Sequence, residues 1–353
     1  MTDHISHHNS FGLAGAEVAA LPGSGNSSLL FIVGTDQPDR LKVDGNRFSL
    51  AGTTDLYKLL GPEPHDRLQL TPNYFRQARQ AELGGYSCIL NLITEPEENS
   101  RVLENLRKLL KGLPGKVVNH PDAVRRSTRD QVAKLLAGTP GLAVPRAVRL
   151  RGSKPAYAVQ LIERTGLTFP LILRRIGTHT GKIVGLMDSA QDVAAALESD
   201  GEYIATEFVD FASSDGLYRK YRVFFFGDQI IFRHMLVSDG WNVHGRDRSR
   251  VMAERKDLLE EEERLFDRPD GAFPPEVHEV LRAVRKRMAL DFFGIDFGLT
   301  QDRRLLLFEA NSTMNFFPFL ADPRFDYVKR CVGPARIAFR GLLGLPAGRT
   351  VEP

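Results

Sequence analysis

Cysteine is scarce: Cys88 and Cys331 are the only two in 353 residues, and neither belongs to a CxxC or Cys/His spacing. That argues against a disulfide framework or a structural zinc site and leaves two buried thiols in a reducing, cytoplasmic setting as the expectation. Charge imbalance is lacking too. With 47 Lys+Arg against 44 Asp+Glu the formal charge is +3, so the field of the whole chain makes no case for nucleic acid or a membrane surface, and any anion binding has to be local. No apolar run approaches the ~20 residues of a membrane span, and no basic start leads into one. Internal repeats and low-complexity tracts are absent. What is present is 42% hydrophobic and 26% charged residues in a chain long enough for a large core, divided among two or three subdomains.

The start, "MTDHISHHNS", reads as a solvated, disordered end, with chelation of a stray ion by His4, His7 and His8 as the alternative. Apolar runs "SSLLFIVG" (27–34), "YSCILNLIT" (86–94) and "GKVVNHP" (115–121) read as strands, and "NSRVLENLRKLLKGL" (99–113) spaces Val102, Leu103, Leu106, Leu109 and Leu110 as a helix. Strands alternating with helices predict parallel pairing in an α/β layer. A boundary falls near residue 121. Beyond it a helix begins with Thr128 and Gln131 spaced as a capping box and stops at Gly138 and Pro140. The basic cluster Arg125, Arg126 and Arg129 at its start reads as solvated.

The texture then changes to strand pairs: "FPLILRRI" (169–176), "KIVGLM" (182–187), "EYIATEFV" (202–209), "KYRVFFF" (220–226) and "QIIFRHML" (229–236), the last two joined by a Gly227-Asp228 hairpin signal. A helix over 274–290 presents Val277, Val280, Leu281, Val284 and Met288 as one stripe. Two further strands follow, "GIDFGLT" and "RLLLFEA".

Asp296 sits near the start of one of these strands, and Glu309 and Asn311 end the other. If the two strands are neighbours, two carboxylates and an amide oxygen converge, a hard all-oxygen set of the kind that holds Mg2+. Arg222 and Arg233 in the preceding strands, with Arg174 and Arg175 ending "LILRR", would face a polyphosphate across it. Each signal has a plainer reading. Glu309 and Asn311 serve equally as turn residues, Arg222 as a cross-strand ion pair, and "GTHTG" (177–181) as a hairpin in place of a phosphate cradle. "HGRDRSR" (244–250), with Arg246, Arg248 and Arg250 on one face of an extended segment, reads as a solvated loop, a lid over an anionic substrate, or a nucleic-acid contact; the "EEEE" that follows speaks against the last.

The order of the whole set resembles the ATP-grasp superfamily of carboxylate-amine ligases, relatives of glutathione synthetase, D-alanine ligases and ribosomal-protein glutamate ligases. The resemblance covers about residues 115–340, with 27–120 similar to the α/β domain that precedes it in the family. It implies an α/β (α+β) fold class: a partly disordered segment over 1–26, a pre-ATP-grasp domain over 27–120, a small subdomain over 121–210, and a C-terminal subdomain with the metal site over 211–345. It also implies ATP and Mg2+ as cofactors. Arg174 would touch the phosphates, with Gly177, Thr180 and Gly181 in the glycine-rich loop closing over them. Glu207 would meet the exocyclic amine of adenine, and the main chain of Phe208 and Val209 its edge. Arg222 would be the strand-borne phosphate-binding arginine, with Arg233, Asn242 and His244 beside it in the catalytic set. Asp296, Glu309 and Asn311 would be the magnesium ligands.

Three departures stand out. Arg174 occupies a position that usually holds Lys, Lys220 replaces an acidic or neutral residue two before the arginine, and "STMN" follows Asn311 where Pro-Gly is usual. The activity implied is ADP-forming ligation of a small-molecule or peptide carboxylate to an amine, in a cytoplasmic protein with no nucleic-acid or membrane partner and a homodimer as the default assembly. An ATP-binding accessory module of the same fold without turnover is the alternative.

Overall fold

A buried strand of parallel type has to be apolar on both faces, and LLFIVG meets that demand. In the computed structural model, which describes residues 28–37, 41–44, 47–50, 56–76, 81–176, 183–267 and 272–347, all six residues of this strand β1 (Leu29–Gly34) are buried. A hairpin of β2 (Leu41–Asp44) and β3 (Arg47–Leu50) follows, then β4 (Asp66–Leu70), β5 (Cys88–Asn91) and β6 (Lys116–Val118). Strands β4, β1, β5 and β6 lie side by side in that order, and every pair is parallel. A helix over Ser100–Leu109 covers the sheet with Val102, Leu103 and Leu106 buried. Its first amides are capped from a distance by Asp36, which accepts from Arg101 N at 2.8 Å and Val102 N at 2.9 Å. The segment 1–26 lies outside the described residues.

The chain then builds two further layers, antiparallel throughout except for one parallel pair at the edge of the second, between its last two strands. Strands β8 (Ala147–Arg151), β9 (Leu171–Arg175), β10 (Ile183–Met187) and β11 (Glu202–Glu207) form a four-stranded sheet in the order β10, β9, β11, β8. Leu150, Leu171, Leu173 and Tyr203 pack it against Ala158 and Ile162 of the helix Pro155–Thr165. The third sheet runs β13 (Gln229–Ser238), β12 (Tyr218–Phe226), β14 (Phe292–Leu299), β15 (Leu305–Asn311) and β7 (Leu142–Ala143). Gly227, at φ +61°, turns the predicted two-residue hairpin between β12 and β13. Phe225 stacks on Phe293 at 4.4 Å, and their cluster continues through Leu281, Val284 and Met288 of the helix Pro275–Met288 to Leu30 and Ile32 of the parallel sheet.

Asn119 fastens the first sheet to the third. At a left-handed φ of 57° it accepts from Asp291 N and Phe292 N, both at 2.8 Å, and donates to Phe292 O at 2.6 Å. The helix after residue 121 is split in two, Pro121–Arg125 and Arg129–Leu136. Thr128 is the N-cap residue of the second, but its hydroxyl donates to Asp130 Oδ1 at 3.0 Å and makes no cap bond. Both cysteines are buried and free. Among the described residues no helix is long and apolar enough to cross a membrane.

Candidate active site

The register of the third sheet sets the site. Arg222 of β12 pairs with Asp296 of β14, and Asp296 pairs with Glu309 of β15. Directly opposed residues share a face, so the three form one row across three strands. A β-bulge interrupts the ladder on each side, at Arg222/Val223 against β13 and at Asp296/Phe297 against β15, re-aiming the side chains beside it.

Contacts along the row are short and charged. Arg222 forks onto Asp296, Nε to Oδ1 at 2.6 Å and Nη2 to Oδ2 at 2.7 Å. Lys220 Nζ lies 3.8 Å from Asp296 Oδ2 and donates to Val243 O at 2.7 Å. Glu309 Oε1 forms an ion pair with Arg129 Nη2 at 2.8 Å and accepts from Asn311 Nδ2 at 2.9 Å, and Arg129 Nη1 donates to Phe308 O at 2.6 Å. Burial pushes the Asp296 carboxyl up, but Arg222, Lys220 and Arg129 more than reverse this, leaving it below its ordinary value. Arg174 of β9 lines the same cleft from the second sheet, and its guanidinium makes neither a hydrogen bond nor an ion pair among the described residues. Burial and the neighbouring Arg129 cation, opposed by Glu309, lower its pKa to about 10.

These residues line a cleft of about 940 Å3 between the second and third sheets, with Glu95–Glu98 of the first layer also in its lining. One end is apolar: Val144, Ile172, Phe208, Val209, Trp241 and Leu306 wall a slot in which Phe208 and Trp241 meet edge to face at 5.7 Å. The carboxylate of Glu207 is occupied by Arg146, Nη2 to Oε1 at 2.5 Å, and by Thr168 N at 2.8 Å. Glu207 N donates to Arg146 O and Phe208 N to Pro170 O, and Val209 N has no backbone partner among the described residues.

Neither a scan of protein-family models nor a search of curated proteins gives a match. Solved structures do. The VanG D-Ala:D-Ser ligase from Enterococcus faecalis is similar over 91% of this chain and 99% of its own, with a TM-score of 0.52 at 14% identity. The chain has the ATP-grasp fold. Two further similar structures are a RiPP-associated ATP-grasp ligase from Chryseobacterium gregarium (90% and 96% of the two chains, 10% identity, TM-score 0.49) and an N5-carboxyaminoimidazole synthase from Aspergillus clavatus (91% and 78%, 16%, 0.45).

Within this ATP-grasp fold the sequence-selected residues are distributed unevenly. Arg174, Glu207, Phe208, Val209, Arg222, Asn242, His244, Asp296, Glu309 and Asn311 all line the one cleft. Gly177, Thr180 and Gly181 lie outside the described residues. Arg233 is elsewhere: as the unpaired residue of the β13 bulge it is buried, donates to Phe316 O at 2.8 Å and stacks on Phe319 at 4.0 Å. It braces the segment after β15 and does not line the cleft. The three arginines of "HGRDRSR" also diverge, because 248–252 is a helical turn and not an extended strand. Arg246 lines the cleft, Arg248 is buried against Glu262, and Arg250 pairs with Asp239 and Asp247. Arg129, read from sequence as a solvated helix start, is the site residue that reading missed. Of its cluster, Arg125 pairs with Glu104 on the surface and Arg126 is exposed, and the sequence carries no signal separating the three.

Magnesium fits the donor set in kind. Asp296, Glu309 and Asn311 offer two carboxylates and an amide, all hard oxygen donors on one sheet face. Among the described residues no group of three or more His, Cys, Asp or Glu side chains is placed to hold a metal ion. Arg222 holds both oxygens of Asp296, and Arg129 and Asn311 share Oε1 of Glu309. These donors must release the carboxylate lone pairs to any metal that binds.

Proposed function

We propose that the chain is an ATP- and Mg2+-dependent ligase that activates a substrate carboxylate as an acyl phosphate and joins it to an amine, releasing ADP and phosphate. One observation supports it above the others: the Arg222–Asp296–Glu309 row, with Asn311, lies in a cleft ringed by Arg129, Arg174 and Lys220 and continues into an apolar slot. Carboxylates ringed by arginines suit a polyphosphate and its counter-ion, and the slot suits a flat nucleobase. Trp241, Phe208 and Leu306 would enclose the base, with the main chain of Val209 at its edge. Arg129, Arg174 and Arg222 would hold phosphate oxygens, with Asn242 and His244 beside them.

Held by Asp296, Glu309 and Asn311, magnesium would supply further neutralisation of phosphate charge. The carboxylate attacks the terminal phosphoryl group, and the amine then displaces phosphate from the acyl carbon. Positioning and electrostatic stabilisation carry such a reaction, and no side-chain nucleophile is needed. The carboxylate and the amine belong to small molecules or peptides.

Trp241 is the chain's only tryptophan, so its fluorescence reports the slot directly. Millimolar ADP with Mg2+ is expected to change that emission and raise the thermal midpoint, because a ligand of the folded state alone stabilises it by mass action. Phosphate release from ATP should require a carboxylate and an amine together, supplied as a panel of amino acids and short peptides. No response of either kind to nucleotide overturns the proposal. Arg174→Ala sharpens the test: without a partner to lose, the ligand-free protein should melt no lower than the parent, whereas loss of a charge-assisted phosphate contact should weaken ADP binding by about tenfold or more. A destabilised variant with unchanged affinity would place Arg174 in the scaffold.

A further inference from the structure

Lys220 lies at the centre of this site with no role yet assigned. It precedes Arg222 by two residues on β12, so both side chains leave the same face of the sheet. Its side chain is only 16% exposed, and its ammonium has two contacts, Val243 O at 2.7 Å and Asp296 Oδ2 at 3.8 Å. Val243 stands between Asn242 and His244 on the wall of the cleft, next to Trp241. Lys220 therefore links that wall to the row of carboxylates.

The charges around the row do not balance. Arg129, Lys220 and Arg222 bear on Asp296 and Arg174 on Glu309, and these two carboxylates are already engaged, Asp296 by hydrogen bonds from Arg222 and Glu309 by an ion pair with Arg129 and a hydrogen bond from Asn311. A divalent ion approaching alone meets a surplus of positive charge and engaged lone pairs. The same ion arriving with a polyphosphate meets the complement, since the phosphate oxygens draw the guanidinium groups and release the carboxylates.

We propose that Lys220 is a positioning residue, a tethered cation that keeps free divalent metal off Asp296 and Glu309 until a polyphosphate occupies the cleft, and that holds the Asn242–His244 wall in place meanwhile. The proposal rests on the nucleotide-binding reading above and deepens it: metal would enter only with nucleotide.

The probe is Mn2+, measured by electron paramagnetic resonance of the free ion, with and without ADP, on the full chain. The parent should take up Mn2+ with ADP and show no uptake below millimolar without it. Lys220→Met and Lys220→Gln remove the charge, and each should bind Mn2+ alone at least tenfold more tightly than the parent. Lys220→Arg should restore exclusion, and Asp296→Asn added to either charge-removing variant should abolish the gain. Lys220→Gln keeps an N–H for Val243 O, so Trp241 emission should shift in Lys220→Met more than in Lys220→Gln. Equal Mn2+ affinity in parent and variants, with ADP binding intact, overturns the role of Lys220 and leaves the nucleotide reading standing. A gain that survives Asp296→Asn overturns it too. Failure of ADP with Mn2+ to bind the folded parent defeats both.

Discussion

Glu309→Gln is expected to lower turnover by on the order of 100-fold or more while leaving the protein folded, because it keeps the shape of the side chain and removes a charge from the proposed metal site. The surroundings of Glu309 make the prediction selective. Its carboxylate is 36% exposed and its Arg129 partner 26% exposed, so the pair itself contributes roughly 1 kcal/mol or less to stability. Glutamine retains an oxygen for Asn311 Nδ2. The melting midpoint should therefore stay close to the parent's, and nucleotide should still bind with reduced dependence on Mg2+. Were Glu309 merely a strand-end residue in a structural hydrogen bond, the profile would invert, with ~1–2 kcal/mol of stability lost and activity nearly intact. Melting curves and ATP-dependent phosphate release on this single variant separate the two. An active but destabilised Glu309→Gln would sink the metal assignment.

The opposite profile is expected at Glu262. This carboxylate is fully buried and accepts from Arg248 Nη2 at 2.5 Å, Arg248 Nη1 at 3.0 Å, Tyr327 Oη at 2.7 Å and Met235 N at 2.9 Å, tying the helix Lys256–Phe266 to β13, to the turn at 248–252 and to the segment before the last helix. Glu262→Ala leaves the Arg248 guanidinium buried without a counter-charge, at a cost of roughly 3–5 kcal/mol. Urea unfolding followed by circular dichroism measures it. Arg248→Met in the same chain removes the stranded charge and should recover part of the loss, so the double variant should unfold at higher urea than Glu262→Ala alone. A loss below about 1 kcal/mol would mean that water reaches Arg248 once the carboxylate is gone. Arg248 is for this reason unsuited as a neutral control for arginines in the cleft.

The two residues were not equally visible from the sequence. Glu309 was legible because an apolar strand that ends in a carboxylate and an amide two positions apart places both on one face. A charge on such a face has to meet either solvent or a partner. Asp296 was legible as a lone charge in an apolar strand, but that strand starts at Phe292, two residues before the run read from sequence, so Asp296 lies mid-strand; the register shows that its strand is the neighbour. Glu262 was not. On a helix reading EEEE, four carboxylates look alike, and only packing makes this one fully buried and leaves Glu260 and Glu263 half out in solvent or on the surface.

Sequence alone determined the elements whose information is local. Continuous apolar runs specified the parallel strands, closely spaced apolar runs and the Gly227-Asp228 turn specified the antiparallel pairs, and the stripe Val277, Leu281, Val284, Met288 specified the covering helix. Their order along the chain was enough to suggest the ATP-grasp fold that the architecture bears out. Tertiary structure alone decided which of several equivalent cations serve the cleft. One extra residue in β13 carries Arg233 away from it, a helical turn splits Arg246 from Arg248 and Arg250, and the start of one helix brings Arg129 onto Glu309 from 180 residues away in sequence while Arg125 stays on the surface. Arg146 claims Glu207 across 61 residues in the same manner. Periodicity reports the face a residue occupies within its own element. The partner it meets depends on register, bulges and crossings between elements distant in sequence, where a shift of one position turns a side chain to the other face.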